Sequence, residues 1–148
     1  MPQSLHQQFS HIVFSTKGRE KLIPAALEAG LYAYISGIVH DLGGELIIGN
    51  GMADHVHLLV KTSKSVSDVE FIRQVKRGSS IWLAEHGVHQ FHWQGGYGWF
   101  SVGVVDVPKA KAYVEGQKDH HRTLSFQDEF RRFLKRYGVD YDERYVWG

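Results

Sequence analysis

His55 and His57 stand two positions apart in the run Ala53-Asp-His-Val-His-Leu-Leu-Val60, which reads as a β-strand. Successive strand side chains point to opposite faces, so the two imidazoles share one face while Val56, Leu58 and Val60 take the other. Their α-carbons should lie roughly 6–7 Å apart, close enough for both rings to converge on one divalent metal. Far downstream, Tyr113 and Gln117 are spaced i,i+4, which on a helix brings a phenol and an amide to the same point. They supply a candidate nucleophile and a candidate third ligand. Taken alone, a His-x-His pair also fits hydrogen-bonded or surface histidines; the two motifs together describe one site.

The donor set has chemical consequences. An amide oxygen is neutral, so an ion held by His55, His57 and Gln117 would keep its positive charge for polarising a phosphoryl oxygen. Two imidazoles soften the site relative to an all-oxygen cage, so Mn2+ should serve at least as well as Mg2+. Presenting the Tyr113 phenol as phenolate near neutral pH costs about 4 kcal/mol unaided, and a base or cation would offset part of this.

The elements that must position these residues follow from hydrophobic period and punctuation. Phe9 to Thr16 alternates as a first strand. Pro24 opens a helical stripe through Leu27, Leu31, Ile35, Ile38 and Leu42, which Gly43-Gly44 ends. Glu45 to Met52 and His55 to Lys61 read as two strands, joined by a turn at either Asn50-Gly51 or Ala53-Asp54. Ser67-Asp-Val-Glu70 is a capping box that starts a helix running to about Gly87. A glycine-interrupted segment then leads into a strand from Trp99 to Val105. Pro108 sits in the first turn of the tyrosine helix, and a last helix from Ser125 carries Phe126, Phe130, Phe133, Leu134 and Tyr137. The order predicts an α+β sandwich, an antiparallel sheet with packed helices, close to the ferredoxin-like pattern.

Composition narrows the class. The chain has 148 residues and reads as one domain, 1–148, large enough for an ordinary core. It has no cysteine, which excludes disulfides and thiolate metal sites and fits a reducing, cytoplasmic setting. No run is long enough to span a membrane, and the first eight residues do not form a signal peptide. Net charge is only +1, so any nucleic-acid contact must come from local clusters. The candidates are Arg73, Lys76 and Arg77, then Lys109, Lys111, Lys118 and Arg122, with Tyr97 as a stacking ring; Trp99 reads as buried packing. A further cluster, Arg131, Arg132, Lys135 and Arg136, lies on the last helix. Clusters of this kind commonly form solvated helix faces.

Four motifs in order carry a family resemblance: Asp54-His-Val-His-Leu-Leu-Val60, Trp93-Gln-Gly-Gly-Tyr-Gly-Trp-Phe-Ser101, Tyr113-x-x-x-Gln117 and His120-His121. The chain resembles the single-tyrosine HUH transposases of the insertion sequence 200/605 family from its first strand to about Tyr137. The resemblance implies a compact homodimer acting on hairpin-bearing single-stranded DNA, with His55, His57 and Gln117 as metal ligands and Tyr113 as nucleophile. It implies attack on a phosphodiester to leave a 5′-phosphotyrosine and a free 3′-hydroxyl, and rejoining without a nucleotide cofactor. It also implies composite sites, with Tyr113 and Gln117 reaching the partner's histidines. Gly116 falls inside the expected tyrosine helix, where glycine costs about 1 kcal/mol relative to alanine and would suit a movable arm. His120 and His121 could orient substrate or ligate, and read first as exposed helix-end residues.

Other architectures with His-x-His are excluded. An amidohydrolase barrel needs about 250 residues, and a cupin needs many short strands where half of this chain reads as helix. The competing reading within the same fold is a domesticated hairpin-binding nuclease or a non-catalytic nucleic-acid-binding relative.

Overall fold

A computed structural model describes residues 2–148. Seven-residue β1 (Phe9–Ser15) leads through short 3-10 turns into α1 (Glu28–Asp41). Strands β2 (Glu45–Met52) and β3 (His55–Lys61) follow, then α2 (Asp68–Glu85) and β4 (Gly98–Val102). Three helices complete the chain: α3 (Val107–Glu115), α4 (Gln117–His120) and α5 (Phe126–Arg136). The strands form one antiparallel sheet in the order β2-β3-β1-β4. This is the α+β, ferredoxin-like arrangement the element order predicts.

The β2–β3 hairpin turns at Ala53-Asp54, because Met52 pairs with His55 and Asn50 with His57. Ser67 caps α2, its Oγ accepting from the Glu70 amide at 3.2 Å as the capping box requires. The last strand is shorter than its sequence pattern suggests. After Val102 the backbone enters a 3-10 turn at Val104–Asp106 that feeds α3 directly.

The period of two divides the sheet into unlike faces. Ile12, Phe14, Val56, Leu58 and Val60 point towards α1 and α2 and are buried with Leu31, Ile35, Val39, Phe71 and Val75. The opposite face packs Val13 and Phe100 against Phe126, Phe130, Phe133 and Leu134 of α5. Close approach of α5 to β4 depends on Gly98, where a Cβ would lie 2.6 Å from the Phe130 ring.

The second face needs α3 to return over the hairpin. Asn50 Nδ2 donates to the carbonyls of Val114 and Glu115 at 3.0 and 3.3 Å, fastening the end of α3 to β2. Lys118 adds bonds to Asn50 Oδ1 (3.1 Å) and the Gly51 carbonyl, and pairs with Glu28 at 2.9 Å. Gly116 does not lie within a continuous tyrosine helix. It ends α3, and α4 begins at the next residue. A Cβ at Gly116 would lie 3.1 Å from His120 Nε2, so glycine lets the His120 ring fold back on the preceding helix.

Candidate functional site

His55 and His57 lie on the α3–α5 face of β3, and both are fully buried. The β1–β3 register sets Val13 opposite His57 and Ser15 opposite His55, which brings His11 alongside on the same face. His11 Nε2 lies 2.7 Å from His57 Nδ1. On the turn, Asp54 Oδ1 lies 2.7 Å from His55 Nδ1. Each histidine therefore has its Nδ1 engaged by a neighbour while its Nε2 points at the space beneath α3 and α5.

Gln117 and Tyr113 reach this space from above. Gln117 is fully buried, with Oε1 3.1 Å from His55 Nε2. Tyr113 donates its hydroxyl to Glu129 Oε2, which also accepts from Gln117 Nε2 at 2.9 Å. Glu129 Oε1 lies 2.8 Å from His57 Nε2, 3.6 Å from His55 Nε2 and 3.1 Å from His121 Nε2. The four residues singled out by spacing thus meet within one chain, around a carboxylate that spacing did not single out. The composite arrangement is not needed to unite them, because Asn50 and Lys118 hold the α3–α4 junction over its own sheet.

The donor chemistry fits a divalent cation. When His55 gives its Nδ1 proton to Asp54, the bare Nε2 lone pair faces another acceptor, Gln117 Oε1. Two acceptors turned on one another in this way call for positive charge between them. His57 donates Nε2–H to the ionised Glu129 Oε1 at 2.8 Å while its Nδ1 faces His11 Nε2, and a cation between them would take the place of that proton. His121 Nε2 is buried and aims at the same place, 3.1 Å from Glu129 Oε1. Ligand atoms of His55, His57, His121 and Glu129 all lie within 4.8 Å of one another.

Electrostatics follow from burial and pairing. Burial lowers His57 to about 4 despite its contact with Glu129, and His11 to about 3, so both rings are neutral near pH 7. Burial alone would push the Glu129 carboxyl up, but contacts from His121, His57 and Tyr113 outweigh it and hold it well below the usual carboxylate range. Burial and the bond to Glu129 push the Tyr113 phenol above its ordinary value. In this arrangement the proton stays on tyrosine.

His120 and His121 are not exposed helix-end residues. The His120 ring stacks on Tyr113 with centroids 4.6 Å apart, and the His121 side chain is only 5% exposed. The α4 bend at Gly116 turns both inward. His11 and Glu129 escaped the spacing argument, although Glu129 carried a signal. It lies three residues after Phe126 and four before Phe133, a carboxylate inside an apolar helical stripe.

Most of the basic candidates lie elsewhere. Arg73, Lys76 and Arg77 sit on α2, across the sheet from Tyr113. Lys76 is a structural cation: its Nζ donates to the carbonyls of Gln94 and Gly96, both at 2.8 Å, and faces the rings of Phe14 and Tyr97. That fixes Tyr97 on the α2 side as well. Arg73 pairs with Glu70, Arg122 with Asp119, and Lys118 with Glu28. Lys109 and Lys111 are exposed on α3, and Lys109 lines a cavity beside Tyr113. Trp99 packs on Phe71 and donates to Ser10 Oγ at 2.9 Å.

Among the described residues no helix is long and apolar enough to cross a membrane. No curated protein matches the chain. Solved structures share the fold, two of them described as transposases. One is a transposase candidate from Deinococcus radiodurans R1, 21% identical, with TM-score 0.63 over 79% of this chain and 98% of that one. The other is a REP-associated tyrosine transposase bound to a REP hairpin, 12% identical, with TM-score 0.59 over 96% of this chain and 91% of that one. The family model described as transposase IS200 like matches residues 4–117, a span that takes in both histidines, the tyrosine and Gln117, and the chain accordingly belongs to the IS200-like transposase family.

Proposed function

We propose that this chain is a metal-assisted, single-tyrosine transposase that cleaves and rejoins single-stranded DNA at hairpin-marked ends. The observation that carries this reading is the meeting of Tyr113, His55, His57 and Gln117 around the Glu129 carboxylate. His55, His57 and Gln117, with Glu129 and His121, are the residues that would hold Mg2+ or Mn2+. Such an ion would supply positive charge that polarises a phosphoryl oxygen and lowers the cost of forming phenolate.

The chain's own groups do the rest. Asp54 and His11 orient the two histidines, and Glu129 Oε2 aims the Tyr113 hydroxyl and is the nearest acceptor for its proton. The tyrosine oxygen then forms a bond to phosphorus as the bond to the 3′-oxygen breaks. The leaving oxygen gains a proton, giving a free 3′-hydroxyl and a 5′-phosphotyrosine. Attack by another 3′-hydroxyl reverses the step and rejoins a strand with no external energy source. Preference for a hairpin is supported by the sequence resemblance and by the REP hairpin held by the solved relative. Cysteine-free composition supports a cytoplasmic setting.

The test is incubation of the protein with hairpin-bearing single-stranded DNA and Mn2+, followed by denaturing electrophoresis. Wild type should form a covalent adduct that chelator abolishes. Tyr113→Phe should form none while still binding the strand, since only the phenolic oxygen is lost. An adduct of normal yield from Tyr113→Phe would place the nucleophile elsewhere.

A homodimer of such chains would carry one complete site per subunit. Mixing Tyr113→Phe with His57→Ala should then restore no cleavage, because each chain carries a lesion in its own site. Subunit exchange is checked first with differently tagged chains; cleavage returning on exchange would mean that tyrosine acts in trans.

A further inference from the structure

Two cavities open on either side of Tyr113. The first, about 400 Å³, is lined by His120, Glu129 and Arg132; the second, about 370 Å³, by His11, Lys109 and Tyr137. Tyr113, Phe133 and Arg136 line both, so the nucleophile stands between them and Arg136 borders each. Glu129, Arg132 and Arg136 follow one another at i, i+3 and i+7 on α5, a single helical stripe. The stripe begins at the histidines and ends in solvent.

Arg132 and Arg136 are exposed and, among the described residues, neither pairs with a carboxylate. Their neighbours differ: Arg131 pairs with Asp128 and Glu143, and Arg144 with Asp142. Two carboxylates line the cavities besides Glu129. Asp119, in the first, is paired with Arg122 at 3.3 Å, and Asp106 lines the second. The guanidinium groups therefore flank the nucleophile with their donors free. Four residues of helix advance about 6 Å, the order of the separation between adjacent phosphates in an extended strand. Arginine suits phosphate oxygens because its planar fork can bind two at once.

We infer that Arg132 and Arg136 form a phosphate clamp that draws a single strand across Tyr113, from one cavity to the other, and positions the scissile phosphodiester against the tyrosine oxygen. The clamp rests on the proposed strand-cleaving function and adds to it residues beyond Gln117, where the family match ends. It makes α5 a bifunctional element, with Glu129 at the metal centre and two arginines on the strand.

Binding and chemistry are measured separately. In a Tyr113→Phe background with chelator, fluorescence anisotropy follows a labelled hairpin oligonucleotide with single-stranded flanks over a salt series. Each phosphate contact on a single strand contributes about 0.7 to the slope of log affinity against log salt. R132Q/R136Q should lower that slope by about 1.4 and weaken binding about tenfold or more at low salt, whereas R73Q/R77Q on α2 should leave both unchanged. R132K/R136K should keep most of the slope. If the double variant melts early, R132Q and R136Q are read singly, each losing about 0.7. In a Tyr113-intact background, R132Q/R136Q should raise KM for adduct formation more than it lowers kcat.

An unchanged slope in R132Q/R136Q, with wild type still forming its adduct, overturns the clamp and leaves the cleavage reading standing. A reduced slope with no adduct from wild type upholds the clamp as a strand-binding device and overturns the cleavage reading. Absence of salt-dependent binding by the Tyr113→Phe protein overturns the clamp.

Discussion

On the α1/α2 face of the sheet, Ile12, Phe14, Val56, Leu58 and Val60 are sealed against Leu31, Ile35 and Val75. On the other face the same two strands present His11, His55 and His57 to Gln117 and Glu129, and these polar side chains are buried almost as completely. Burial therefore does not distinguish the two faces; what the burial contributes does. Excluding apolar surface from water stabilises at about 25 cal/mol per Å². Burying imidazoles and a carboxylate costs free energy unless each finds a partner. The second face recovers that cost through a network, His11 to His57 to Glu129 to Tyr113 and Gln117, whose stability depends on where its protons are. One face holds the fold, and the other is held by it.

The largest effect that separates the faces is expected from Leu58→Ala. Leu58 is fully buried on the apolar face, so truncation should cost about 2–5 kcal/mol and lower Tm on the order of 10 °C. Stabilisation by added Mn2+ should persist in the variant, because the proposed ligands lie on the opposite side of β3. Loss of the Mn2+ response in thermal melts would mean that the faces are coupled through the strand.

Acid should act on the second face. In chelator, His57 is lowered from 6.5 to about 4 and His11 from 6.5 to about 3, chiefly by burial. Between those values and 6.5 the unfolded chain binds protons that the folded chain does not, so stability is full above about pH 6.5 and falls as pH drops through the window. Glu129 acts in the same direction at lower pH, since its ionised form is favoured in the fold. His121 opposes part of the loss, because contact with Glu129 outweighs burial and raises it. The His57 contribution is on the order of 3 kcal/mol if its whole shift is expressed. Thermal melts between pH 7 and 4 should show the decline, and His57→Gln should flatten it. Equal pH profiles for variant and wild type would remove His57 from this account.

The smallest effect is expected on α2. Arg73→Ala with Arg77→Ala should change single-strand affinity less than twofold, since both residues lie across the sheet from Tyr113. A larger loss, read by the same anisotropy titration, would extend the DNA path around the sheet edge.

Local pattern in the chain was enough for the elements and for half of the residues that meet at the candidate site. The alternation through His55-Val-His57 set both imidazoles on one face, and the i,i+4 spacing brought Tyr113 and Gln117 together even though Gly116 breaks the helix between them. The capping box at Ser67 and the phenylalanine stripe of the last helix were equally legible, because caps and helical period are set by residues a few positions apart. The remaining site residues were decided by tertiary structure. His11 joins His57 only through the β1–β3 register, across 46 residues, and Glu129 reaches His57 across 72. Those separations exceed any local period, and it is packing of α5 on the sheet that turns a carboxylate in an apolar stripe into the centre of the site. The same packing sets Arg132 and Arg136 beside Tyr113 and leaves the basic cluster of α2 on the far side. Charge and residue type are written in the sequence, but which charges share a face depends on strand order and on how α3 and α5 return over the sheet.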